Sequence, residues 1–352
     1  MKIRVLAAVG AVVAAVLTPA TASAEPMTVV AQGLDNPRGL AFAPDGALYV
    51  AEAGRGGAGP CFPGPEGQDV CFGDSGAVTR VAEGAQHRVI TGLPSIAAAD
   101  GSGAIGPSDV DPRGIGGLYF TVGLGADPAV RDALPPLARD ASAWLLRGHD
   151  GRWEQVADIG AHEARANPDG GPVDTNPTSL TAAPGGRAVV DAGGNSLLLA
   201  HQHGISTLAV FDTRTIGGQP VQSVPTSVAR GRDNALYVGE LTGFPFPPGE
   251  ARVHRVAPGR GPAVFAEGFT NIIDIAFDSR GRLYVLEIAH HGLTSGDPTG
   301  ALIRVDHDGA RTTVASAGLV MPGGLAIRGG AAYVSNCGVC AGGGTVVRIP
   351  LS

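Results

Sequence analysis

Lysine is almost missing from this chain: Lys2 is the only one in 352 residues. Past the N-terminal segment no ammonium side chain exists to form a Schiff base or act as a lysine base, which excludes that class of mechanism. Positive charge is scarce too, with a formal net charge of −7 that becomes −9 if Lys2 and Arg4 are removed. That balance argues against nucleic acid and anionic membranes as partners. Aromatic residues make up 5% and charged residues 16% of the chain, and cysteine occurs four times. After Leu17 no apolar run is long enough to span a bilayer, so no membrane span is expected in the mature protein. Helix-period segments are absent between the apolar runs, which weighs against an α/β barrel.

What is present begins with an export signal. Lys2 and Arg4 precede an apolar run from Val5 to Leu17, followed by the small residues Ala22, Ser23 and Ala24. This pattern predicts a secretory signal peptide, residues 1–24, cleaved after Ala24. A secreted, extracellular location follows, with residues 25–352 as a single domain and a monomer expected. The high glycine and proline content, 55 and 27 residues, accompanies 44% hydrophobic residues. Such composition with periodic apolar positions suits a turn-rich β protein rather than a disordered one.

The phrase "NPRGLAFAPDGALYVAE" (36–52) recurs. Its counterparts are "GPSDVDPRGIGGLYFTVG" (106–123), "NPTSLTAAPGGRAVVDAG" (176–193), "VPTSVARGRDNALYVGEL" (224–241), "NIIDIAFDSRGRLYVLEI" (271–288) and "MPGGLAIRGGAAYVSNC" (321–337). Measured at Leu48, Leu118, Arg187, Leu236, Leu283 and Ala332, the spacings are 70, 69, 49, 47 and 49. Each unit reads as strand, tight turn, strand, followed by a second pair such as "ALIRVDHDGARTTVAS" (301–316). Six units of four antiparallel strands predict an all-β, six-bladed β-propeller. The last unit lacks a fourth strand, and "PMTVVAQGL" (26–34) matches it, so the N-terminal strand is expected to close the ring beside residues 346–349.

In such blades the start of strand one, the end of two, the start of three and the end of four share one face. The long connections fall there: 53–75, 93–106, 123–142, 160–176, 241–250, 289–300 and 337–343. Long loops on a rigid scaffold are where binding usually resides. Two repeat-equivalent sets converge on that face. Glu52, Val122, Asp191, Glu240, Glu287 and Asn336 end the second strands. Gly39, Asp109, Ser179, Ser227, Asp274 and Gly324 start the innermost ones. The expected ligand-binding ring is Glu52, Asp109, Asp191, Glu240, Asp274, Glu287 and Asn336, with His290 beside Glu287. Asp109 and Asp274, in opposite blades, are the candidate ligands of a hard cation such as Ca²⁺. The plainer reading of these acids is that they accept hydrogen bonds from backbone N–H groups and hold the ring together.

Cys61 and Cys71 lie in the first long loop and Cys337 and Cys340 in its counterpart in unit six. Disulfides suit an exported protein, local pairing leads among three connectivities, and a cross-link between units six and one is the second option. A four-cysteine zinc site matches neither the compartment nor the usual spacing. "GDSG" (73–76) imitates a serine-protease nucleophile loop, but only about 50 residues of mature chain precede Ser75, too few for the required upstream barrel. His201 and His203 flank a turn on the short-loop face. "NPDGG" (167–171) reads as loop punctuation, with a segment closing over a ligand as the second reading.

The phrases "GPSDV", "NPDGGPVDTNP", "DAGGN", "VPTSVA", "ALYVGELTGFPFPPG", "GFTNIIDIAFD" and "YVSNC" together resemble the ScyD/ScyE family of exported bacterial β-propeller proteins. The resemblance covers essentially all of residues 25–352 and implies the fold, export and a connection to a secreted small molecule. It carries over no catalytic residues. More distantly the repeat is similar to NHL-type propellers and gluconolactonase-like hydrolases, whose central cation is held by Glu, Asn and Asp; Val122 departs from that pattern. The function expected is binding of a small molecule or an exported protein through the long-loop face, with a cation-dependent hydrolase or lactonase as the alternative.

Overall fold

The computed structural model describes residues 27–63, 69–113, 117–201 and 203–351; the expected signal peptide lies outside them. Six sheets carry the chain around one axis. Their innermost strands are Pro37–Phe42, Pro107–Asp111, Pro177–Ala183, Pro225–Arg230, Ile272–Phe277 and Gly324–Arg328, which define blades 1 to 6. Blade 6 is completed by Thr28–Leu34, which runs antiparallel to Gly344–Pro350 with Thr28 opposite Arg348 and Ala31 opposite Val346. The N-terminal strand therefore closes the ring, as blade-to-blade continuity requires.

Cohesion follows from the two-residue period of a strand. In Leu283–Glu287, Leu283 and Val285 pack against Tyr237, Val253 and Phe269 of blade 4. Tyr284 and Leu286 face Leu325, Val334 and Val347 of blade 6. Each blade thus buries both faces between its neighbours, which explains why the second strands read as nearly continuous apolar runs. Separate apolar clusters fill the other inter-blade spaces as well.

Three departures from the sequence reading occur, all on the long-loop face. Blade 1 carries two 14-residue strands, Asp69–Ala82 and Ala85–Ala98, so parts of the expected loops 53–75 and 93–106 are paired strand. The extension exists because Val70, Phe72 and Ile96 bury against Leu124 and Leu134. Short helices, Pro128–Ala133, Pro136–Ala141 and Ile159–Ala166, occupy the insertions after blade 2's second and fourth strands. Asp127 and Asp158 cap two of them by accepting backbone N–H bonds, and none is long enough to display a helical period. A hairpin, Arg214–Ile216 with Gln219–Val221, links blades 3 and 4 through a Gly217-Gly218 turn.

Both disulfides are local, Cys61–Cys71 and Cys337–Cys340. Cys61 sits opposite Cys71 where the short strand Cys61–Pro63 pairs with the extended hairpin. Ser75 of "GDSG" is a strand residue whose hydroxyl donates to the Gly56 carbonyl at 2.7 Å and accepts from the Arg55 N–H at 2.9 Å. No helix among the described residues is long and apolar enough to cross a membrane.

Candidate functional site

The axial channel is divided in two. On the long-loop face lies a chamber of about 250 Å³, on the short-turn face one of about 380 Å³, and Asp109, Ser179 and Asp274 line both. These three form the waist of the channel. The wall of the upper chamber comes from the preceding repeat position in every blade: Arg38, Ser108, Thr178, Thr226, Ile273 and Gly323.

The waist is also an inter-blade belt. Asp109 Oδ2 accepts from the Ser179 hydroxyl and the Leu180 N–H of blade 3, both at 2.9 Å, while Oδ1 accepts from Val110 N–H at 2.8 Å. Ser179 Oγ accepts from Val228 N–H of blade 4 at 3.2 Å. Asp274 accepts from Leu325 N–H of blade 6 at 2.6 Å and from Ile275 N–H at 2.7 Å. Blades 6 and 1 have glycine at this position because their inner strands crowd the belt. A Cβ on Gly39 would collide with the Asp109 carboxylate, and one on Gly324 would lie 2.8 Å from Gly39 Cα.

Burial pushes Asp109 up to about 7 against the lowering effect of its hydrogen bonds. Asp274 is raised well above the carboxylate range by burial and by the facing Asp109 charge. Burial lowers Arg38 to about 10, and its Nη2 donates to the Ala104 carbonyl at 2.8 Å. With Ser108, Thr178, Ser179 and Thr226 the chamber therefore offers hydroxyls alongside one guanidinium and two protonatable carboxyls.

A central cation is not well served by this donor set. The carboxylate oxygens of Asp109 and Asp274 already accept from backbone and hydroxyl donors, and a guanidinium shares the chamber.

The second repeat-equivalent set is placed differently. Glu52, Asp191, Glu240 and Glu287 are 0 to 2% exposed and line neither chamber. Each turns back to the residues that lead into its own blade's innermost strand. Glu52 accepts from Asp35 N–H at 2.8 Å, Asp191 from Asn176 N–H at 2.6 Å and Glu287 from Thr270 N–H at 2.7 Å. Glu240 takes the Ser223 hydroxyl at 2.6 Å, and Asn336 accepts from Val320 N–H at 2.7 Å. In four blades the clamped residue precedes a left-handed one, Asn36, Val224, Asn271 or Met321, with φ between 39° and 50°. The clamp holds a backbone geometry that Val224 in particular disfavours. Burial raises the pKa of Glu287, while its bonds to His290 Nδ1 and Thr270 N–H oppose the rise. His291 pairs instead with Asp297 at 2.8 Å.

Sequence reasoning did not find a larger cavity beside the axis. A cleft of about 770 Å³ opens between the extended hairpin of blade 1 and the helical insertion of blade 2, walled by Phe62, Val70, Ile96, Ile105, Leu124 and Leu134. Ile105 also lines the axial chamber, so the two share a wall. The Cys61–Cys71 bridge pins one rim. The missed chamber residue Arg38 had one signal in the sequence: it is the only charged residue at its repeat position.

No family model matches the chain, and no curated protein matches it. Among solved structures, a candidate gluconolactonase superposes with a TM-score of 0.55 at 12% identity, covering 94% of this chain and 95% of that one. A streptogramin B lyase superposes with a TM-score of 0.50 at 12% identity, covering 93% and 98%. At such identity the likeness is one of fold.

Proposed function

We propose that this is an exported propeller of the ScyD/ScyE type that binds a small molecule with an apolar body in the cleft of its long-loop face. One observation carries the reading. The cleft of about 770 Å³ is walled by aliphatic and aromatic side chains and adjoins, across Ile105, a polar chamber bearing Arg38. Pockets for small molecules typically enclose about 300–1,000 Å³, mostly apolar with a few oriented polar groups. Export is supported by the N-terminal charge and apolar pattern and by two disulfides, which persist in oxidising compartments.

The test uses 8-anilinonaphthalene-1-sulfonate, whose apolar ring system suits the cleft. Saturable fluorescence enhancement is expected for the mature protein. Ile105→Trp and Leu134→Trp, which fill the cleft, should weaken binding by about tenfold or more while leaving the melting temperature within a few degrees. Absence of saturable binding, or equal affinity in both filled variants, overturns the reading. A hydrolase or lactonase built on Asp109 and Asp274 is the second reading, supported by two carboxyls held in the chamber floor with raised pKa values. Lactone turnover that is lost in Asp274→Asn but kept in Leu134→Trp would favour it.

A further inference from the structure

The connection between blades 2 and 3, residues 160–176, contains a cluster that neither the chamber nor the cleft uses. Four buried carboxylate or amide oxygens among the described residues have no hydrogen-bond donor: Asp35 Oδ1, Glu163 Oε1, Asn167 Oδ1 and Asp174 Oδ1. Three of these four fall within residues 163–174. An ionised carboxylate oxygen and an amide oxygen only accept, so an acceptor left bare in the interior requires a donor or a cation.

The local fold places Glu163, Asn167 and Asp174 on one connection, between the end of a helix and the return of the chain to blade 3. Glu163 lies in the last turns of Ile159–Ala166 and is 1% exposed. Asn167 caps that helix in the left-handed region at φ 35°, and its Nδ2 donates to the Gly171 carbonyl at 2.9 Å, which directs the amide into the loop. The Asp174 N–H faces the Glu163 carboxylate. The loop 191–195 packs on the same spot: a Cβ on Gly194 would lie 2.6 Å from Glu163 Oε2, and one on Gly193 would lie 2.8 Å from the Asp174 carbonyl carbon.

Negative charge accumulates there without a matching cation side chain in the cluster. Asp191 and Asp169 lie near Glu163. Both have their own donors: Asp169 accepts from Gly171 N–H and Asn195 Nδ2 at 2.8 Å, Asp191 from Asn176 N–H and the Thr175 hydroxyl. The carbonyl end of the helix adds partial negative charge at the same place.

We propose that the 163–174 loop is a binding site for a hard divalent cation, Ca²⁺, with Glu163 Oε1, Asn167 Oδ1 and Asp174 Oδ1 as its side-chain ligands. An all-oxygen set of two carboxylates and one amide fits Ca²⁺, which completes six to eight ligands with backbone carbonyls and water. The site is distinct from the axial pair Asp109 and Asp274. It also accounts for the "NPDGG" segment, in which Asn167 supplies a ligand and Gly170, at φ 66°, turns the chain so that Asp174 returns to Glu163.

The proposal is tested by calorimetric titration of Ca²⁺ into the chelator-stripped mature protein, with thermal melts in parallel. One site is expected, with an affinity in the range of extracellular modules, about 10⁻⁴ to 10⁻³ M or tighter, and a melting temperature that rises with Ca²⁺. Glu163→Gln and Asp174→Asn should each weaken binding by about tenfold or more, and Asp274→Asn should leave it unchanged. Asn167→Ala serves if Glu163→Gln fails to fold by circular dichroism. The proposal is overturned if the wild type shows neither heat nor a melting shift up to about 10 mM Ca²⁺. It is equally overturned if binding persists undiminished in the folded loop variants, or disappears in Asp274→Asn.

Discussion

If the second-strand acids serve as clamps for the entry turns, Glu52→Ala should destabilise the ring without touching ligand affinity. Glu52 is fully buried and accepts from the Asp35 N–H, the Thr79 hydroxyl and Arg88, the last through Nε at 3.0 Å and Nη2 at 2.6 Å. Removing its carboxylate leaves the first two donors buried and unpaired, at about 1–3 kcal/mol each. Arg88 is 39% exposed and can turn to water, so its share is small, but Asp35, 5% exposed, then loses its partner. The two donors together come to about 2–6 kcal/mol, which at about 2 °C per kcal/mol for a chain of this size lowers the melting temperature by about 4–12 °C. Asn336→Ala removes one acceptor from the exposed Val320 N–H and should cost about 1 kcal/mol. Scanning calorimetry of the two variants, with anilinonaphthalene sulfonate titrations alongside, decides the matter. A smaller loss for Glu52→Ala than for Asn336→Ala, or lost ligand affinity at an unchanged melting temperature, would refute the clamp.

The waist makes stability depend on pH in a stated direction. Asp109 is raised to about 7 in the folded chain, so its contribution is complete below the ordinary carboxylate pKa of about 3.9 and is lost as pH rises through about 7. The rise from about 3.9 to about 7 corresponds to about 4 kcal/mol at most. Melting temperatures measured from pH 5 to 8 should therefore fall more steeply for the wild type than for Asp109→Asn, and parallel profiles would contradict the assignment. Close approach of the inner strands is tested by Gly39→Ala, whose Cβ must displace the Asp109 carboxylate, against Gly261→Ala, which meets nothing within 4 Å. We expect a loss of about 1–3 kcal/mol for the first and less than about 0.5 kcal/mol for the second in urea unfolding, and equal midpoints would refute the crowding.

The architecture was legible because repetition multiplies a weak signal. One Asp-Gly turn between apolar runs predicts a hairpin; six at regular spacing predict blades, and the unmatched final unit points to Thr28–Leu34 as the closing strand. The same repetition says less about the site. Counting equivalent acids finds Glu52, Asp191, Glu240 and Glu287 because each holds the entry to its own blade, and a residue repeated for that reason faces its own blade rather than the axis. What distinguishes the proposed ligand-facing surface is what the repeat does not share. Arg38 stands where the other blades carry Ser, Thr, Ile or Gly, and the cleft is built from the two insertions that lengthen the first spacings to 70 and 69 residues. In Val70, Phe72 and Ile96 those insertions alternate apolar residues as an extra ladder, which glycine and aspartate between them disguise as loop. Function on a propeller is therefore to be sought where one blade departs from its siblings, and here the departures at Arg38, at the Cys61–Cys71 hairpin and at residues 163–174 all fall on the same face.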